Sequence, residues 1–146
     1  MKKYLWLPLL LMAVISSAAL TTKAQSTYGI RANVPFEFTV GSTTIAAGRI
    51  SAREMSTNSG ALVISNLDKA QHAIRIAHSV SSSKDSNEGK LVFHRYGNRY
   101  YLAQVWIPGY NGLQLSKSKS ERALKGDTLL SKNSTPEVVT IKADLL

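Results

Sequence analysis

Between Tyr28 and Val40 every second residue is apolar. Tyr28, Ile30, Ala32, Val34, Phe36, Phe38 and Val40 alternate with Gly29, Arg31, Asn33, Pro35, Glu37 and Thr39. A period of two marks a β-strand with one buried face. Pro35 has no N–H to give to a ladder, so the strand lies at an edge or is bulged there. Gly41-Ser42 and Ala47-Gly48 follow as turns, with a second, more weakly patterned strand in "RISAREM".

The rest of the chain repeats this grammar. "STNSG" is turn-rich and "ALVIS" is a short apolar run, most simply a buried strand. "NLDK" turns the chain into "AQHAIRIAHSV". In that strand His72, Ile74, Ile76, His78 and Val80 share one face, and Gln71, Ala73, Arg75 and Ala77 the other. A polar loop, "SSSKDSNEG", leads to "KLVFHRYGNRYYLAQVW". Gly97-Asn98 in this stretch is a two-residue hairpin turn, because Gly supplies the positive φ of a type II′ first position. The turn opposes Tyr96 to Arg99, Arg95 to Tyr100, His94 to Tyr101 and Phe93 to Leu102. One face then carries Leu91, Phe93, Arg95, Tyr100, Leu102, Gln104 and Trp106. The other carries Val92, His94, Tyr96, Arg99, Tyr101, Ala103, Val105 and Ile107.

"SKSKSERALKG" predicts the one helix. Ser118 and Glu121 form an S-x-x-E capping box, Gly126 is the expected stop, and Ala123 and Leu124 are the expected docking residues. "EVVTIKADLL" predicts a last strand. The expected fold is mainly β: a single β-sandwich or small β-barrel of about seven strands, with one short helix in the C-terminal half.

Residues 1–24 predict an export signal. Lys2 and Lys3 precede the uncharged run from Tyr4 to Leu20, and Thr22 and Ala24 place small residues at a signal-peptidase site. The competing reading is an uncleaved anchor; the run is at the short end of the roughly 17–25 residues a spanning helix needs. Cleavage leaves a single β-rich domain, 25–146, with no membrane span. Lys2, Lys3 and Lys23 leave with the signal, and the formal net charge falls from +9 to +6. That surplus favours anionic partners in a general way. The chain has no cysteine, so disulfides, thiolate metal sites and cysteine nucleophiles are all absent. A cysteine-free exported chain fits a bacterial periplasm or exterior.

Catalytic signatures are missing. G-x-S-x-G, H-E-x-x-H, Walker A and G-x-G-x-x-G do not occur. His72 and His78 share a strand face but stand about 20 Å apart at the strand rise, too far for one metal. No cofactor and no metal is expected. The hairpin has two readings. Its tyrosines and arginines are good strand-face residues whose rings pack while their polar tips reach water. Alternatively, His94, Tyr96, Arg99 and Tyr101 form an exposed aromatic–cationic plate that binds a ligand.

Three segments, "VPFEFTVGSTTIAAGRI", "KLVFHRYGNRYYLAQVW" and "LSKSKSERAL", occur in that order. Together they resemble a family of small exported proteins abundant in acidobacterial genomes. That family carries a V-P-F-x-F-x-V-G strand, an L-P-A-G-x-Y turn, a K-L-V-F-H-R-Y-G hairpin and an S-x-x-E-R-x-L helix. "IAAGRI" departs from it, lacking the Pro and the Tyr of the turn. The resemblance implies export and one domain, and it supplies no activity or catalytic residue. The expected function is that of a non-enzymatic, exported binding or scaffold module. Two alternatives stand beside it. One is an anion-binding module for envelope polysaccharide or nucleic acid, using the plate with Lys117, Lys119 and Arg122. Of these partners an anionic envelope polymer is expected ahead of nucleic acid. The other is a hydrolase whose site is assembled only in three dimensions around His94 and a carboxylate.

Overall fold

The structure is a computed structural model that describes residues 28–56, 59–81, 87–128 and 135–146. The expected signal, 1–24, lies outside the described residues, as does most of the polar loop before the hairpin. The strands are β1 (Gly29–Val34), β2 (Phe38–Val40), β3 (Thr43–Ile45), β4 (Gly48–Glu54), β5 (Ala61–Asn66), β6 (Gln71–Val80), β7 (Gly89–Tyr96), β8 (Arg99–Trp106), β9 (Gly112–Leu115) and β10 (Glu137–Leu145). One helix, α1 (Lys119–Thr128), lies between β9 and β10.

Eight of the strands close into an antiparallel barrel. The ring runs β1-β4-β5-β6-β9-β8-β7-β10 and returns to β1. Of the two expected architectures, the barrel is the one formed. The chain has three more strands than the seven expected: the Tyr28–Val40 alternation is two strands, not one, and β3 and β9 form where turns were expected. Pro35 ends β1, which stays in the ring. The chain then crosses to β2, which pairs parallel with β8 at Thr39↔Tyr101 and antiparallel with β3. The face assignment survives the break: Ile30, Ala32, Val34, Phe38 and Val40 are buried, Phe36 is half-buried, and only Tyr28 is exposed.

The β2–β3 hairpin repairs a gap in the wall. β9 pairs only the second half of β6, at Ala77–Val80, and only Gln104 and Val105 of β8. The first halves of β6 and β8 therefore diverge, and β2–β3 fills the opening. Its seam with β6 is laced by side chains. Gln71 accepts the Ala46 N–H at 3.0 Å, and Arg75 donates to Ser42 Oγ at 2.9 Å. Asn66, itself buried, donates to the Ala46 carbonyl at 2.8 Å.

Side chains fill the barrel, with Phe38, Phe93, Ile30, Ile50, Leu62 and Leu91 among the most buried. On β6 the inner row is Ala73 and Ala77; the row with Ile74 and Ile76 faces solvent, Ile76 at 65% exposure. The Gly97-Asn98 turn has the expected register, with Tyr96↔Arg99 through Phe93↔Leu102, and Gly97 has φ 61°. Further along, the register shifts between Val92 and Phe93, leaving Ala103 as an extra residue. This β-bulge swaps the faces. Leu102 points inward before it, and Val105 and Ile107 point inward after it. Trp106 moves to the outer side, where Lys90 lies over its ring at 5.4 Å. The helix begins as expected, with Ser118 Oγ accepting the Glu121 N–H at 3.0 Å. It runs through Gly126 instead of stopping there, since an interior glycine costs a helix only about 1 kcal/mol.

Candidate functional site

Expected ligand residues His94, Tyr96, Arg99 and Tyr101 do share the outer face of β7–β8, but they do not form an open plate. The first turn of α1 lies on them. Glu121 is only 4% exposed, and one of its carboxylate oxygens, Oε1, meets His94 Nδ1 at 2.8 Å and accepts from the Tyr96 hydroxyl at 3.3 Å. Tyr101 is buried beside them, edge-on to Tyr96 with centroids 5.9 Å apart. Burial, followed by the nearby Glu121 charge, pushes the Tyr96 hydroxyl up to about 12. Tyr96 therefore stays a donor throughout the neutral range. Helix docking was expected through Ala123 and Leu124. Ala123 is exposed and Leu124 half-buried, while Glu121 of the capping box is buried against the barrel.

Arg99, exposed at the edge of this interface, faces a groove of about 1030 Å³ at the β2–β3 end of the barrel. The hairpin β2–β3, the β7–β8 turn and the segment from Ser116 into α1 form its walls. Among the described residues five cationic side chains line it, Arg75, Arg99, Lys117, Lys119 and Arg122, with Glu37 the one carboxylate. Among the described residues none of the five is in an ion pair. Hydroxyls of Thr39, Ser42, Thr44, Ser116, Ser118 and Ser120 complete the lining.

Arg75 is held in place. Nε and Nη2 both approach the Val40 carbonyl at 3.4 Å, and Nη2 also reaches Ser42. The guanidinium lies across Gly41, whose φ is 65°, and a Cβ there would collide with it. The aromatic rings of the groove are already engaged. Phe36 stacks on Tyr100 at 3.8 Å and 14°, and Arg95 lies 5.5 Å from the centre of the Tyr100 ring. Phe36 also meets Phe93 edge-on at 5.2 Å. The groove thus offers positive charge, held in place at Arg75, and hydroxyls rather than a bare stacking face.

From the sequence, Lys117, Lys119 and Arg122 were legible as a basic cluster, and Arg99 as part of the hairpin plate expected to act with them in the anion-binding alternative. Arg75 and Glu121 were missed as site residues. A signal existed for Arg75, since an arginine stood in the same row as Ala73 and Ala77, the row that turned out to face inward. His72 and His78 are exposed and lie on β6, away from His94. Among the described residues no three metal-ligating side chains converge. Neither His94 nor Glu121 lines the groove. No family model matches the chain, and neither a curated protein nor a solved structure does.

Proposed function

We propose that this barrel is an exported, non-enzymatic binding module that holds an anionic envelope polysaccharide in the groove. One observation carries the reading: among the described residues, five cationic side chains and one carboxylate line a single concave surface. Cations gathered in a groove focus positive potential and favour an extended polyanion over a neutral chain. Arg75 supports this, because a guanidinium held by the protein's own oxygens loses little freedom on meeting an anion. The His94–Glu121 pair supports a non-catalytic reading, because it is spent on seating the helix. Among the described residues no helix is long and apolar enough to cross a membrane. The proposed export rests on residues 1–24, and an intact mass of the protein from the envelope or medium that lacks them is the expected result.

The test is binding of dextran sulfate and of uncharged dextran across a salt series. Dextran sulfate should bind and weaken steeply with salt, as polyanion contacts do. Arg99→Glu combined with Lys119→Glu should abolish it without lowering the melting temperature. Equal binding of both polymers, or indifference to the charge reversal, overturns the reading. Tighter binding of single-stranded DNA than of dextran sulfate would turn it toward nucleic acid.

A further inference from the structure

A second cavity, of about 530 Å³, lies at the opposite end of the barrel. It forms between the end of β6, the start of β5 and the loop joining β8 to β9. Ala77, Ile107 and Leu113 make an apolar floor, and Tyr28 and Tyr110 make one wall. The two rings sit 4.5 Å apart at 45°. A hydrogen bond to Tyr28, ahead of desolvation, pushes the Tyr110 hydroxyl up to about 12. Tyr110 is held by a tight turn, its N–H bonding the Ile107 carbonyl at 3.0 Å around Pro108-Gly109, with Gly109 at φ 79°. Proline followed by a positive-φ glycine is the composition of a rigid type II turn. Around the rim stand Glu54, Ser59, His78, Ser79 and Asn111. Glu54 Oε1 accepts the Gly60 N–H at 2.9 Å, while Oε2 has no partner among the described residues.

No lysine or arginine is among the described residues that line this cavity. An anion would meet the Glu54 carboxylate with no cation to offset it. The lining instead matches a ligand with an apolar face and a rim of hydroxyls. Aromatic rings pack against apolar C–H faces, and the carboxylate, amide and hydroxyl groups exchange hydrogen bonds around the edge. The volume lies within the roughly 300–1,000 Å³ of small-molecule sites. We propose that this cavity binds a neutral saccharide unit against the Tyr28–Tyr110 wall, with Glu54 accepting from sugar hydroxyls. The site is separate from the cationic groove and does not depend on what the groove holds.

Three neutral probes test it: cellotriose, maltotriose and the trimer of N-acetylglucosamine, each titrated into the protein while amide resonances are followed. At least one should shift the amides of Tyr28, Gly60, Ser79 and Asn111, with an affinity indifferent to salt. Tyr110→Ala should weaken that binding about tenfold or more. Glu54→Gln keeps an acceptor for Gly60 and removes the charge, so it should also weaken binding about tenfold, the factor expected for losing one charge-assisted hydrogen bond. If Tyr110→Ala fails to fold, Glu54→Gln decides. Silence from all three sugars overturns the proposal. So does binding that survives Glu54→Gln, shifts confined to the cationic groove, or a cavity that takes choline chloride in place of sugar.

Discussion

Replacing Glu121 with alanine should release α1 from the barrel while leaving the barrel folded. Oε1 of this carboxylate is the acceptor for both His94 and Tyr96. Hydrogen bonds to a charged group contribute about 1.5–3 kcal/mol each. The Tyr96 contact, at 3.3 Å, belongs at the weak end. The His94 side chain keeps 23% of its surface open, so water takes up part of what it loses. Together these give about 2 kcal/mol, or roughly a thirtyfold rise in helix opening. A ten-residue helix is marginal in water without tertiary contacts, so the loss appears as fraying. Hydrogen exchange read peptide by peptide checks this. Amides of 119–128 should exchange roughly thirtyfold faster, while those of β1, β4 and β5 stay protected. Glu121→Gln, which keeps one acceptor oxygen, should fall between. If exchange across α1 is unchanged in Glu121→Ala, the helix is held by something other than this carboxylate, and the account of the buried interface fails.

Phe38→Ala should cost about 3–5 kcal/mol in denaturant melts, because Phe38 is 1% exposed and packs edge-on against Phe93. Glu37→Ala should stay within about 0.5 kcal/mol, and Phe36→Ala, half-buried, should lie between; equal losses would refute the two faces of this stretch. Gly97→Val should cost about 1–2 kcal/mol or more through backbone strain alone, since a Cβ there meets nothing within 4 Å, and a neutral result in the same melts would misplace the turn. Tyr96 holds its proton more tightly when folded, so its contribution is complete below its ordinary value near 10.0 and is lost as pH rises toward about 12. Stability should therefore fall across that interval, and Tyr96→Phe should flatten the fall in part, Tyr110 accounting for some of the remainder.

The parts of this fold that were legible in the sequence are those fixed by local rules. The alternation through Tyr28–Val40 identified the buried side chains, and Gly97-Asn98 set the register of β7–β8 as far as Phe93↔Leu102. The capping box placed the start of α1. What local rules do not carry is which element covers which face. Nothing in the hairpin says that a helix beginning at Lys119 will lie on His94 and Tyr96, because that contact joins residues 27 and 25 positions apart. The extra residue at Ala103 is also silent, since a run of β-forming residues hides a slip of one. Nor does the sequence tell which row of β6 faces inward, as Ile74 and Ile76 show. Their row looks the more apolar, yet the inner row of β6 runs beside the β2–β3 hairpin, where Phe38, Val40 and Ile45 occupy the core and alanine suffices. The groove was half legible: its basic residues near the helix were visible, and Arg75 arrived by way of a distant strand.

The ring closes where β10 slots between β7 and β1, and β10 comes last in the chain among the strands described. Ile30 pairs with Leu145, and the Leu146 N–H reaches the Gly29 carbonyl at 3.0 Å. A chain delivered N-terminus first, from a ribosome or through a translocation pore, therefore holds nine strands with no closed wall. The edges of β1 and β7 stay open, and each exposes a row of unpaired backbone groups. Long-range pairing of this kind is slow to form, and it cannot finish before residue 145 is free. The same arrangement keeps the polypeptide threadable until β10 arrives. It also makes a molecule cut short before Glu137 an aggregation hazard rather than a smaller working barrel.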